Sequence, residues 1–243
     1  MATTVVKTYS IAPYYDDFDE TKNFHRVLFR PGFAVQAREL TQLQTALQAQ
    51  IDRYGQFAFK DGSRVIDGKV TLNVEYDFVK IESSFTHSTA GSLNTDNYLS
   101  EFVGTTITGA TSGVTAEVQE VVAAVSGGDP NTLYVKYTNS GTNNTTSVFA
   151  AGEEFSSNGT PVRHGKVGGG SGSSISNQTG QGSSINIEEG VYFISGTFIF
   201  VPGGSLILDK YTNTPNYIVG LTVAEEEITS ATDTSLLDNA QGG

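Results

Sequence analysis

The chain has 243 residues, a formal charge of −12 from 14 Lys and Arg against 26 Asp and Glu, and no cysteine. Phosphate neutralisation needs clustered cations, so this balance argues against nucleic-acid binding. No run of about 18 apolar residues is present for a membrane-spanning helix, and the missing Cys removes disulfides and thiolate metal sites. Only 16% of residues are charged and 37% are hydrophobic, while 27 are Gly. The surface must then come from Ser, Thr, Asn and Gln, as in a β-rich protein that is extracellular or part of an assembly. Residues 1–10 carry one Lys and no long apolar core, which favours cytoplasmic synthesis.

Residues 1–35 have no clear periodicity and form an aromatic arm with Tyr9, Tyr14, Tyr15, Phe18, Phe24, Phe29 and Phe33. Pro13 and Pro31-Gly32 interrupt any regular element. Large rings each hide about 150–250 Å² when buried. The arm therefore either wraps its own domain or docks on a neighbour, with Tyr14, Tyr15, Phe18, Phe24 and Phe29 as the docking residues. Asp16, Asp17, Asp19 and Glu20 could hold a hard cation. They lack the pattern of an EF-hand loop, and capping of a short turn is the competing role.

Gln36–Tyr54 reads as the one strong helix, with Gly55 at the expected C-cap. Leu40, Leu43, Leu47, Ile51 and Tyr54 follow helical spacing along one stripe. Gln42, Gln44, Gln48 and Gln50 stand where a solvated face usually carries Glu and Lys. Amide flanks beside a Leu seam suit an oligomer interface. The competing reading is a helix that covers a sheet of its own monomer.

Beyond Gly55 the pattern turns to β. Asp61-Gly62 and Asp67-Gly68 are hairpin-type turn dipeptides. Val70, Leu72, Val74 and Tyr76 alternate with Thr71, Asn73 and Glu75, as in a strand with one buried side and one wet side. Residues 102–167 read as an inserted small β-barrel or sandwich of short strands and Gly-rich turns. Residues 168–184 are rich in Gly and Ser and read as a linker. Strand character returns at residues 185–208 and at Tyr217–Val223, and Thr232–Gly243 reads as polar loop. The expected fold is mainly β with one prominent helix. A sandwich- or barrel-like body is formed by residues 56–101 and 185–243.

Catalytic signatures are missing. His25, His87 and His164 lie in three unrelated segments without metal spacing, and no Gly-x-Ser-x-Gly elbow occurs. The glycine-rich stretch is not followed by the Lys of a phosphate loop. The sequence nominates no catalytic, cofactor-binding or metal-binding residue, and the expectation is a protein that is not an enzyme.

The run Tyr14–Gln44 (YYDDFDETKNFHRVLFRPGFAVQARELTQLQ) resembles the N-terminal signature of the DUF4815 family. Glu189–Phe198 (EGVYFISGTF) and Leu236–Gly242 (LLDNAQG) resemble later parts of the same pattern. The resemblance implies a structural protein of tailed-phage virions, of tail-fibre or baseplate type. It implies a homotrimer of sister chains that docks on baseplate or other tail proteins and reaches a host surface glycan through a distal part. The implied location is the virion tail. The expected function is the N-terminal, baseplate-anchoring part of a tail fibre. The alternatives are a baseplate wedge or connector without host contact, and a glycan-binding receptor-recognition module. On this reading the 243 residues are the start of a longer gene product.

Overall fold

The computed structural model describes residues 9–12 and 14–236. Pro13 and the run Leu237–Gly243, expected to break the arm and to form polar loop, lie outside the described residues. The fold is mainly antiparallel β with one long helix, and no barrel closes. Helix α1 spans Ala37–Ala58. The strands are β1 (Ser63–Asp67), β2 (Val70–Ile81), β3 (Ser84–His87), β4 (Gly91–Asn94), β5 (Thr106–Gly109), β6 (Thr115–Val122) and β7 (Asn131–Asn139). Then follow β8 (Glu154–Ser157), β9 (His164–Lys166), β10 (Thr179–Ile187), β11 (Gly190–Ile194), β12 (Thr197–Val201) and β13 (Gly204–Asp209).

Three sheets result. The largest runs β13-β10-β2-β7-β6-β5-β8-β9, a smaller one runs β1-β11-β12, and β3 pairs with β4. The left-handed pair Asp67 and Gly68 makes the expected tight turn. Yet it joins β1 to β2, strands of different sheets, rather than closing a hairpin. Gly190 packs against this turn so closely that a Cβ there would fall 2.6 Å from the Gly68 Cα. The β11–β12 hairpin does close on a left-handed pair, Ser195 and Gly196.

One main core serves most of the large sheet. Val79 and Ile81 of β2 lie in it together with Ile107, Val118, Leu133, Val135, Phe149 and Phe155. Strands β5–β9, expected in a small barrel or sandwich of their own, thus extend the sheet that β2 and β10 begin and share its core. Beyond it, Tyr76 and Tyr134 stack at 4.7 Å on the other face of the sheet.

The glycine-rich stretch also departs from expectation, since Thr179–Ser184 belong to β10 rather than to a linker. Gly180 lies under the Phe78 ring and Gly182 against the Lys210 carbonyl, where side chains would collide. Those glycines are packing solutions inside a strand.

Strand β2 is split. From Tyr76 onward it is mostly buried, but Val70–Glu75 are exposed on both faces. The alternation expected to mark one buried side therefore has no covering layer over its first half. The reason lies in the pairing: β10 borders β2 over Val70–Val79, while β7 meets it only at Phe78–Ile81. Among the described residues no further strand follows β13. Tyr217–Val223, expected as a strand, pairs with nothing.

Candidate functional site

Helix α1 starts where its sequence predicts. Gln36 is the N-cap, and its N–H donates to Glu39 Oε2 at 2.9 Å. The helix does not stop at Gly55. Gly55 is buried beneath the Phe193 ring, and a methyl group there would fall 2.6 Å from Phe193 Cζ. It is a contact glycine inside the helix, which continues through Phe57 to Ala58.

The buried positions of α1 are Thr45, Ala46, Ala49, Asp52 and Gly55, all of them small or polar. Such a face lets the helix sit close against the β11–β12 hairpin. The Phe59 ring continues that contact, 6.0 Å from Phe193 and 5.8 Å from Phe198. The large apolar side chains point outward instead. Leu40, Leu47, Ile51 and Tyr54 are 50, 55, 49 and 67% exposed, and Phe57 is 90% exposed; Leu43 is half-buried. A surface helix normally turns its apolar stripe inward, so α1 is inverted. Phe57 extends the seam by another position. With the C-cap expected at Gly55, the sequence places Phe57 beyond the helix, and the structure places it within.

Read in heptads, Leu40, Leu47 and Tyr54 fall at one core position and Leu43, Gln50 and Phe57 at the other. A repeat of seven keeps one stripe facing a partner helix when the helices supercoil. The 22 residues of α1 give a seam about 33 Å long.

The arm is tied to α1 by its carboxylates. Thr45 Oγ1 donates to the buried Asp16 Oδ2 at 2.5 Å, and Arg38 pairs with Asp17 at 3.3 Å. Arg53 pairs with Glu20. Asp19 caps the short 3-10 turn Glu20–Lys22 by accepting from the Thr21 N–H at 2.9 Å and hydroxyl at 2.6 Å. Those hydrogen bonds hold the Asp19 carboxyl below its ordinary range. The four carboxylates, read in sequence as a candidate cation cluster, thus engage four separate partners. Among the described residues no group of three His, Asp or Glu is arranged to hold a metal ion.

The arm's rings remain largely outside. Tyr14, Tyr15, Phe24 and Phe29 are exposed and Phe18 is half-buried. The Tyr14 hydroxyl donates to Glu227 at 3.4 Å, which brings the arm beside the segment after β13. A cavity of about 720 Å³ opens where α1, the β11–β12 hairpin and that segment meet. Ile51, Asp52, Ile194, Phe198, Ile199 and Val223 line it. Asp52 is buried there and accepts from Gln56 Nε2 at 2.8 Å.

Two of the three histidines converge, contrary to the sequence reading. The His87 and His164 rings meet with centroids 4.1 Å apart and planes tilted by 35°, because the β3–β4 hairpin packs against β9. His87 Nδ1 accepts from the Thr89 and Ala90 N–H groups, which leaves Nε2 facing Glu154 at 3.6 Å. His164 Nδ1 is buried without a partner. Burial, and then His87, lower the His164 pKa, while Glu154 opposes them. His25 is exposed in the arm.

Large apolar side chains are exposed in the arm, on α1, in the first half of β2 and in the segment after β13.

No curated protein and no solved structure matches the chain. Glu189–Phe198 and Leu236–Gly242, where the sequence resembles later parts of the pattern, lie outside the residues that match the family model. Residues 12–118, which carry the arm, α1 and the strands as far as the middle of β6, match the family model described as Domain of unknown function (DUF4815).

Proposed function

We propose that this chain is a structural component of a phage tail, the baseplate-anchoring part of a tail fibre, and that three copies associate through α1. The observation that carries the assembly is the inverted helix: large apolar residues outside, small residues inside. The phage setting rests on the resemblance to virion proteins in the arm and α1. The arm's rings dock the base on neighbouring tail proteins, and the carboxylate pairs to α1 keep the arm beside the seam.

Magnitudes set how much the seam can do. Fully burying a large apolar side chain is worth about 1.5–3 kcal/mol. Leu40, Leu43, Leu47 and Ile51 are about half-covered, so each gains roughly 1 kcal/mol on association; the more exposed Tyr54 and Phe57 gain roughly 1.5 kcal/mol each, about 7 kcal/mol per chain in all. Association itself costs an estimated 4–15 kcal/mol. The seam therefore needs help from the arm or from further surfaces. Light scattering of the purified full chain tests the oligomer, with three times 25.8 kDa expected. Density for the chain at the baseplate in a map of the intact virion tests the location. A host-distal position without tail neighbours would overturn the anchoring role.

A further inference from the structure

The molecule holds a strand without a sheet and a sheet edge without a strand. Residues 214–229 pass without a turn, bend or ladder. Within them Tyr217, Val219, Leu221 and Val223 alternate along one side, and Ile218 is fully exposed. An unbent backbone with period-two apolar residues is a strand in all but its pairing. The complementary vacancy is in β2. Its Val70–Tyr76 half is bordered by β10 alone, so the backbone groups on its other side have no ladder partner. The one local substitute is Asn73, whose side chain accepts from the Glu75 N–H at 3.0 Å.

Folded proteins blunt such edges with Pro, Lys, a β-bulge or a covering element, and the β2 edge has its one register irregularity between Asn73 and Tyr76. Val70–Tyr76 contains neither Pro nor Lys, and its single charge is Glu75. Val70, Leu72 and Val74 add an exposed apolar face, which continues across the sheet through Ile185 and Leu206. We propose that Tyr217–Val223 of one copy adds as a strand to the free β2 edge, Val70–Tyr76, of a second copy. The two segments have equal length. Thr214–Val223 carries no charge that would oppose Glu75. Backbone hydrogen bonds supply the affinity in such strand addition, and alternate side chains supply the register. The pairing is between copies because the segment's own course leads elsewhere. Its Tyr217 hydroxyl donates to Asp209 beside β13 at 2.8 Å, and Val223 lines the cavity beside α1. The joint lies beside the exposed apolar side chains Val70, Leu72 and Val74. It rests on association of copies, and not on the phage setting.

Hydrogen exchange on the full-length oligomer, combined with cysteine cross-linking, tests this. In the oligomer the Tyr217–Val223 amides should exchange at least about 100-fold slower than free peptide. The chain has no Cys, so engineered pairs report without background. Thr222→Cys chains mixed with Thr71→Cys, Asn73→Cys or Glu75→Cys chains should form a disulfide heterodimer at one of those three positions, and none with Thr138→Cys. Val219→Pro should remove the protection while Leu133–Val135 stay protected. An oligomer whose Tyr217–Val223 amides exchange as free peptide overturns the strand transfer but leaves the helix seam standing. Protection without a cross-link at any of the three β2 positions overturns it also. Protection that persists in a monomer places the pairing within one chain and overturns it.

Discussion

Leu47→Asp separates folding from assembly. Leu47 is 55% exposed in the single chain, so a surface change there should alter the stability of one subunit by no more than about 0.5 kcal/mol. At a threefold seam the same change brings three carboxylates together. Lost burial removes roughly 1 kcal/mol per chain, about 3 kcal/mol for the trimer. Three charge pairs about 7 Å apart, at an effective dielectric near 20, add roughly 2.4 kcal/mol each. The sum is about 10 kcal/mol, or seven decades in the trimer dissociation constant. Light scattering at micromolar concentration should show the wild type as a trimer and the variant as a monomer, with unchanged far-ultraviolet circular dichroism. A variant that stays trimeric, or one that loses its strand signal, would refute the reasoning.

Other perturbations test the inner contacts. Gly55→Ala should destabilise by about 1–3 kcal/mol despite the better helix propensity of Ala, because the overlap with Phe193 outweighs a gain of at most ~1 kcal/mol; denaturant unfolding reads the sign. Glu153 is buried and accepts from the Thr111 and Ser112 N–H groups, the Ser112 hydroxyl and the Ala150 N–H. Glu153→Ala should cost about 2–4 kcal/mol by orphaning those donors, seen as an earlier denaturant midpoint. The lowered pKa of His164 means that the unfolded chain takes up its proton first as pH falls. Stability is then fully present above pH about 6.5 and is lost as pH drops from there through the lower folded value. His164→Phe should flatten that part of the stability–pH curve.

The apolar stripe of α1 was legible from its spacing, but its direction was not. Periodicity reports that one face differs from the other, and the choice of the face turned inward depends on what approaches it. Phe193 and the Asp16 loop come so close to α1 that only Thr, Ala and Gly fit, and both approaches are long-range in sequence. The same limit explains β10, since Gly180 and Gly182 look like linker until Phe78 and Lys210 are seen beside them. Tyr217–Val223 shows strand pattern in its sequence, but a pattern does not name a ladder partner. The His87–His164 contact arises from β3–β4 docking on β9, which no local spacing encodes. The arm's carboxylates were better placed, because Asp19 and Thr21 lie within one turn of each other and need no distant residue.

The uneven distribution of buried side chains has a thermodynamic consequence. Residues around β5–β8 hold most of the fully buried aromatic and aliphatic groups, whereas the arm, the outer face of α1 and the segment after β13 bury few. On the proposed association, the first region would reach its native state as a lone chain and the second would gain its apolar burial when copies meet. Unfolding should then split in two, with a high-temperature transition independent of protein concentration and a lower one that rises with it by mass action.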